Sequence, residues 1–514
     1  MYLTQGLHRA VQQQPDEVMT ICGDRRRTFA EVADRVSRFA GALRELGVGE
    51  SDRVAILAQN SDRYIEYLLA VPWAGAVLNP ANTRWSPTEI AYSLIDSDSR
   101  VLLVDDAFAE TLPVLRELSP CLTTVIHIGD GPAPVDALSY EDLIAAAQPV
   151  PDVRRGGAEL AGLFYTGGTT GVPKGVMLSH DNLGTSWLGG RASGSLVAQG
   201  GRTLHVAPLF HIACLTSWGA TLMAGGSHVI LPSFDPVTTM TAVQAQQVTD
   251  VLLVPTMIQL LVDHPRVAEY DLTSLRSLLY GASPIHKAVL ERAMAALPGA
   301  RFVQAYGMTE LAPIATLLTP ADHERGLLHS AGRAAPHAEV RIVDPGGVEV
   351  QRGTVGEIAV RGGHVMLGYW GKAEETSQAL RDGWMHTGDG GYLDGEGYLY
   401  IVDRIKDMIV SGGENVYSVE VENALSQHPA VAQCAVIGVP DAKWGERVHA
   451  VVVLRSGASV TADELREQAK KFIAGYKAPR SVEFVDTLPI SGAGKVLKRV
   501  LRATHWGSVD RQVS

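Results

Sequence analysis

The sequence predicts an α/β fold. A large N-terminal domain holds two α/β subdomains and a small β-barrel-like subdomain, and an α+β C-terminal domain follows. Three observations carry this. Over roughly the first 330 residues, short apolar runs recur between helical stretches, the pattern of βαβ units with largely parallel sheets. From about 330 to 400 the pattern becomes period-two alternation between Gly and Pro turns, without long helical stretches. After Asp403, helix and strand patterns alternate again. A chain of 514 residues, at roughly 150 per domain, has room for about three such units.

The elements follow in order. Val32, Val36, Phe39, Leu43 and Leu46 step by four, three, four and three, which places them on one helical face. Thr28 and Glu31 fit a capping box at its start, and Gly47 fits its stop. The Asp24-Arg25-Arg26-Arg27 run before it reads as a solvated turn. Apolar runs at 54–57, 101–104, 160–165, 228–231, 251–254, 278–280 and 301–305 read as buried strands, with a helix-like stretch at 62–70. Residues 339–343 and 356–360 alternate as half-buried strands. Beyond the boundary at 403–406, helices are predicted at 418–425 and 461–473, and strands at 431–437, 448–454 and 482–485. The domains so divided are 1–403 and 404–514.

Composition excludes several classes. With 46% hydrophobic and 19% charged residues the chain is globular, not disordered. A net charge of -12 provides no broad field for gathering nucleic acid or anionic membrane, though a local basic pocket for one phosphate ligand is compatible with it. Four cysteines without CxxC spacing read as reduced thiols. The start lacks the pattern of a signal peptide, and no apolar run reaches the roughly 18 residues of a spanning helix, so a cytoplasmic protein without a transmembrane segment is expected. Glycine is in surplus: 52 residues with no repeat period, which points to many special backbone positions.

The densest chemical signal is Tyr165-Thr166-Gly167-Gly168-Thr169-Thr170-Gly171-Val172-Pro173-Lys174-Gly175, directly after an apolar strand. Glycines allow backbone N–H groups to turn toward an anion, threonines add hydroxyl donors, and a lysine supplies a mobile point charge. The spacing differs from GxxxxGK[ST], so this is not a P-loop of that type. The segment resembles the phosphate-binding signature of the adenylate-forming superfamily, which includes acyl-CoA synthetases, peptide-synthetase adenylation domains and firefly luciferase. Gly167 stands where that signature usually has Ser.

Five further segments resemble that superfamily's motifs, in its order: Tyr280-Gly281-Ala282-Ser283-Pro284, Gln304-Ala305-Tyr306-Gly307-Met308-Thr309-Glu310, Trp384-Met385-His386-Thr387-Gly388-Asp389, Asp403-Arg404-Ile405-Lys406-Asp407 and Pro489-Ile490-Ser491-Gly492-Ala493-Gly494-Lys495. Each string is short, but the ordered set is specific, and the resemblance spans about 43 to 498. The resemblance implies that Thr166, Gly167, Gly168, Thr169, Thr170, Gly171 and Lys174 hold phosphates. Gly281, Ala282, Ser283, Gln304, Ala305, Tyr306, Gly307, Met308 and Thr309 would line the nucleotide, with Tyr306 stacked on adenine and Thr309 at the acyl phosphate. Glu310 and Thr166 would hold Mg²⁺, which asks for few carboxylates beside nucleotide oxygens. Asp389, Ile401 and Arg404 would sit at the ribose and Lys406 would be a pivot. Gly412, Gly413 and Glu414, in the stretch Ser411-Gly412-Gly413-Glu414-Asn415-Val416-Tyr417, would line the CoA tunnel. Lys495, Thr166, Glu310 and His211 are the implied catalytic residues, with His211, in Pro208-Leu209-Phe210-His211, as a gate.

By the same resemblance the acid pocket comprises His211, Ser217, Gly281, Ala305, Pro313 and Ile314, small and mostly apolar residues without a fixed charge, which argues against amino acids. Ala305 stands where many relatives have Gly, and its methyl would hinder a long straight chain. Aryl or hydroxycinnamic acids therefore stand beside medium- and long-chain fatty acids. The implied activity is an AMP-forming acyl-CoA synthetase using ATP, Mg²⁺ and coenzyme A. The Pro440-Asp441-Ala442-Lys443-Trp444-Gly445-Glu446 stretch resembles that of CoA ligases. A stand-alone enzyme loading an acyl carrier protein shares the first step. A nucleotide-binding regulator would bind ATP without releasing pyrophosphate. Similar enzymes are commonly homodimers, although no residue here demands one.

Overall fold

The computed structural model describes residues 1–166, 173–404, 407–411, 414–441, 443–490 and 496–506, without the side chains of Arg404 and Asn415. Two large sheets, each parallel at its centre, organise the N-terminal part. In the nine-stranded sheet, Val18–Cys22, Ser227–Ile230, Arg202–His205, Asp250–Leu253, Ser277–Gly281 and Arg301–Gly307 run parallel side by side. Antiparallel strands flank them, Arg25–Thr28 at one edge and Ile314–Leu318 with Arg333–Ala334 at the other. In the eight-stranded sheet, Leu160–Thr166, Val77–Pro80, Arg53–Leu57, Val101–Val104, Thr124–His127 and Leu138–Ser139 are parallel, and Lys174–Ser179 and Gly368–Tyr369 add an antiparallel edge.

The apolar runs become central strands because helices cover both faces. Arg53–Leu57, Val101–Val104 and Asp250–Leu253 are buried almost throughout, as parallel strands without period-two polarity must be. The expected helix is Phe29–Glu45; Thr28 and Glu31 exchange both bonds of a capping box, and Gly47 turns at φ +84°. The 62–70 stretch extends to Asp62–Ala74, with Pro72 inside its last turn.

Glu339–Val343, Gly356–Arg361, Trp384–Leu393, Leu380–Arg381 and Leu399–Arg404 form a five-stranded antiparallel sheet. A fourth sheet joins Glu414–Val416, Ile409–Ser411, Gly445–Leu454 and Val431–Asp441, with Ser481–Phe484 parallel to Gly445–Leu454. The helix expected at 461–473 is shorter, Ala462–Lys470, capped by Thr461 and Glu464. The largest core runs from Leu3 to Leu399; a separate one runs from Ile409 to Ala478.

One early expectation is overturned in part. The Asp24–Arg27 run is only in part a solvated turn: Asp24 is exposed in a turn, but Arg25–Thr28 is an edge strand from which Arg25 and Arg27 reach inward while Arg26 stays exposed. Arg25 makes two bonds of 2.9 Å to Asp62, Arg27 also pairs with Asp62, and Asp62 is 0% exposed. Arg35 and the Tyr140 hydroxyl bond Glu66 one turn along the same helix. Burial alone would raise the Asp62 carboxyl; Arg25 and Arg27 hold it below its ordinary value.

Candidate active site

Parallel pairing aligns the carboxyl ends of Ser277–Gly281 and Arg301–Gly307, where open α/β sheets bind ligands. Tyr306, at that end, donates its hydroxyl to Asp389 Oδ2 at 2.8 Å. The Asp389 turn is built locally. Gly388 adopts φ +70° and donates its N–H to Glu357 Oε1, while the Asp389 N–H donates to Thr387 Oγ1. Glu357 also bonds His386 Nδ1 at 2.7 Å. Antiparallel register sets Asp389 opposite Arg404 and Gly391 opposite Ile401. Thus Tyr306, Asp389 and the Arg404 backbone, distant in sequence, meet.

A second relay starts at Glu310, in the 3-10 turn Thr309–Leu311. The buried Glu310 carboxylate accepts the Tyr369 hydroxyl at 2.8 Å, and its carbonyl accepts the Met366 N–H. Burial, then the Glu310 charge, raise the Tyr369 phenol, which keeps it a donor. Lys174 Nζ lies 5.1 Å from the Tyr369 ring centroid, within cation–π range. Tyr369 is held by pairing with Val176, and Trp370 by bonds to the Gly175 and Asp96 carbonyls. The Tyr165 hydroxyl bonds Asp96 Oδ2 at 2.7 Å. Thr166 and Lys174 face each other across the Leu160–Thr166/Lys174–Ser179 hairpin. A buried carboxylate and a threonine hydroxyl are hard oxygen donors, too few for a protein cage but suited to Mg²⁺ shared with phosphates.

Some of the expected pocket residues meet through sheet pairing. Gly281 pairs with Ala305 so closely that a side chain would strike the Ala305 carbonyl; likewise Gly307 against Pro313. Ala282 turns at φ +65°. Ala305 packs against Leu196, Val303 and Ile314. His211 is the N-cap residue of Ile212–Met223, its ring 4.2 Å from Phe210. Ser217, on that helix, lines a cavity of about 10 Å³ with Thr216, Ser277, Leu279 and Asp250. Such a space admits roughly one water. Of the residues expected in the acid pocket, only Ser217 lines this small cavity, which also takes in Asp250. Asp250 is buried, burial raises its carboxyl, and Thr249 Oγ1 bonds its Oδ2 at 2.6 Å. Pattern reading passes over it because one Asp before an apolar run looks like an ordinary strand start. Tyr369 and Asp96 were missed for a similar reason: only sheet pairing brings them to the site.

Toward the C-terminus, Asp403 is buried and accepts the Ser418 N–H and hydroxyl, both at 2.6 Å, at the start of Ser418–Ser426. Asp407 is buried against Arg502. The Asp403–Asp407 cluster is therefore no solvated run at these two carboxylates. Glu414 is exposed. Gly167, Gly168, Thr169, Thr170, Gly171, Lys406, Gly412, Gly413 and Lys495 lie outside the described residues. On either side of 491–495, Ile490 pairs with Val496 and the Leu497 N–H bonds the Pro489 carbonyl.

Comparison with known proteins identifies the family. The AMP-binding enzyme family matches residues 7–370, and its C-terminal domain matches 420–495. The chain is 43% identical over 476 residues to a feruloyl-CoA synthase of Amycolatopsis sp, covering 92% of this chain and 93% of that protein. It is 36% identical over 517 residues to the fatty acid–[acyl-carrier-protein] ligase ScoC of Streptomyces coeruleorubidus, covering 98% and 96%. The o-succinylbenzoate CoA synthetase MenE of Bacillus subtilis, solved with its acyl-adenylate intermediate, superposes with a TM-score of 0.85 at 31% identity, over 96% of this chain and 97% of that one. Among the described residues, no helix is long and apolar enough to cross a membrane. With both family domains matched in order, the chain belongs to the adenylate-forming superfamily of AMP-binding enzymes, in its acyl-CoA synthetase branch of AMP-forming acid–thiol ligases.

Proposed function

We propose that the protein converts an aryl-propenoic acid of the hydroxycinnamic type to its CoA thioester, with medium- and long-chain fatty acids as the next class of substrate. The observation that carries the two-step chemistry is the Glu310–Tyr369–Lys174 relay, which ties the metal-type carboxylate to the phosphate-loop lysine. The 43% identity to a feruloyl-CoA synthase supports the aryl class, as does Ala305 at a position where a Gly would leave more room.

In the first step a carboxylate oxygen attacks the α-phosphorus of ATP; the bond to pyrophosphate breaks, leaving an acyl-adenylate. Thr166 and Lys174 hold phosphate oxygens, Tyr306 stacks on adenine, and Asp389 and Arg404 take the ribose hydroxyls. Glu310 and Thr166 hold Mg²⁺, which supplies charge neutralisation on phosphate oxygens. Lys495 neutralises the charge that builds between carboxylate and phosphate, where preorganised cations act most strongly. In the second step, residues 404–514 turn about Lys406 against 1–403. Lys495 leaves, and Gly412, Gly413 and Glu414 line the thiol's path. The CoA sulfur, losing its proton to solvent, bonds the acyl carbon and AMP departs. His211 gates the acid. Four free cysteines support a cytoplasmic setting.

A carrier protein as thiol acceptor is the second reading, favoured by the 36% identity to ScoC. Pyrophosphate release over hydroxycinnamic, fatty and amino acids, followed by acyl transfer to CoA or to a purified carrier protein, tests both readings. Hydroxycinnamates should give the highest kcat/KM with CoA as acceptor. Activity on amino acids alone would sink the pocket assignment, and transfer only to the carrier protein would replace the first reading by the second.

A further inference from the structure

The C-terminal sheet carries a second cluster with chemistry of its own. Gly445–Leu454 and Ser481–Phe484 pair in parallel with His449 opposite Ser481 and Val451 opposite Glu483. Side chains two residues apart share a face, so His449 and Glu483 are diagonal neighbours on one side of the sheet. The helix Lys498–Trp506 lies against that region, its Trp506 Nε1 donating to the Gly438 carbonyl, and brings His505 to the same point. His505 Nε2 is 3.7 Å from Glu483 Oε2, and His449 Nε2 is 3.5 Å from that same oxygen.

We propose that His449, Glu483 and His505 form a binding site for a divalent transition-metal ion of the Zn²⁺ class. His449 is only 5% exposed, yet its Nε2 has no hydrogen-bond partner among the described residues. Its Nδ1 lies 2.8 Å from Ser481 Oγ, a hydroxyl able to accept the Nδ1 proton and leave the Nε2 lone pair aimed at the cluster. A hydrogen bond from the far ring nitrogen is the usual support of a metal-bound histidine. The two distances to Glu483 are long for hydrogen bonds. They approach the edge of a tetrahedron with metal–ligand bonds of 2.0–2.1 Å, roughly 3.4 Å. One ligand atom from each residue lies within 4.8 Å of the others, so small side-chain movements close the site.

Two imidazoles and one carboxylate select Zn²⁺, Co²⁺ or Ni²⁺ over Mg²⁺ and Ca²⁺, which want oxygen alone. Glu483 and His505 also border a cavity of about 330 Å³ with Val485, Leu488 and Leu501, so a fourth position is open to water. A bound ion would join the helix that follows residues 491–495 to two strands of the sheet. This site is independent of the acid and of the thiol acceptor.

The test uses the full chain after chelation and dialysis, titrated with ZnCl₂ and, separately, with CoCl₂. Wild type is compared with His505→Gln and Glu483→Gln, both at partly exposed side chains. Because the chain has 16 histidines, the difference between wild type and variants is the signal. The expected result is one Zn²⁺ per chain at low micromolar Kd or tighter. Affinity should fall at least 30-fold in each variant, and the intense visible absorption of tetrahedral Co²⁺ should appear in wild type only. Equal Zn²⁺ affinity in all three proteins, or one Co²⁺ spectrum common to them, would overturn the proposal.

Discussion

Tyr306 and Asp389 are joined by a hydrogen bond of 2.8 Å, although 83 residues separate them in the chain. The bond crosses from the nine-stranded sheet to the small antiparallel sheet. It fixes the Tyr306 ring and orients the Asp389 carboxylate before any nucleotide arrives.

Removing only that hydroxyl should weaken ATP use without abolishing it. A hydrogen bond to a charged group contributes about 1.5–3 kcal/mol, so Tyr306→Phe should raise KM for ATP about 10- to 150-fold with kcat little changed. Asp389→Ala should lower kcat/KM for ATP at least about 100-fold, since both ribose contacts go with it. Steady-state pyrophosphate release measures both. A larger loss in Tyr306→Phe than in Asp389→Ala would remove Asp389 from the ribose.

Tyr369 tests the Glu310 assignment. Tyr369→Phe keeps the ring beside Lys174 but removes the donor to Glu310. The Mg²⁺ concentration giving half-maximal adenylation should shift, while the KM for the carboxylic acid stays within about twofold, the scatter of an interaction not touched. An unchanged Mg²⁺ profile together with a raised acid KM would move Glu310 out of the metal site.

The buried pair of Arg25 and Arg27 with Asp62 predicts a stability cost. Asp62→Ala leaves two partly buried guanidinium groups without their shared carboxylate, and breaking such a pair costs about 3–5 kcal/mol. Arg26, whose side chain bonds Gln246 at the surface, should cost well under about 1 kcal/mol as Arg26→Ala. Urea unfolding of the two variants compares them. Equal midpoints would return the segment to a solvated turn.

His205 and His228 set an acid limit. Both are buried and 2.9 Å apart through Nε2 and Nδ1. Burial lowers His205 to about 3; burial and then His205 lower His228 well below its ordinary 6.5. Below pH 6.5 the unfolded chain gains protons that these folded histidines refuse. Their contribution is complete above that value and is lost as pH falls toward 3. The slope is about 1.4 kcal/mol per histidine per pH unit. The urea midpoint should therefore drop between pH 7 and pH 5, and drop less in His205→Leu/His228→Leu. A pH-independent midpoint in wild type would contradict the neutral buried pair.

Much of this was legible in the chain. The Thr28–Glu31 cap follows from residue spacing, and the strands at 54–57, 101–104, 228–231, 251–254, 278–280 and 301–305 follow from short apolar runs; Arg202–His205, in the middle of the nine-stranded sheet, was not among them. The Tyr306–Asp389 meeting was legible only as two motifs of one resemblance. What stayed hidden depends on long-range pairing. Tyr369 reaches Glu310 because Gly368–Tyr369 joins the edge of another sheet. Asp250 lines the Ser217 cavity because of where its strand begins. Arg25 and Arg27 turn inward because a helix 35 residues later offers Asp62. None of these has a local sequence signature.

The central claim is that one site performs two chemistries by exchanging Lys495 for the tunnel residues, and the half-reactions of Lys495→Ala test it most directly. Pyrophosphate release from ATP and acid should fall at least about 100-fold, the scale of losing a preorganised charge at the reacting centre. Thioester formation from supplied acyl-adenylate and CoA should stay within a few-fold of wild type. If both half-reactions fall equally, Lys495 does not act in the first step alone and the account is wrong.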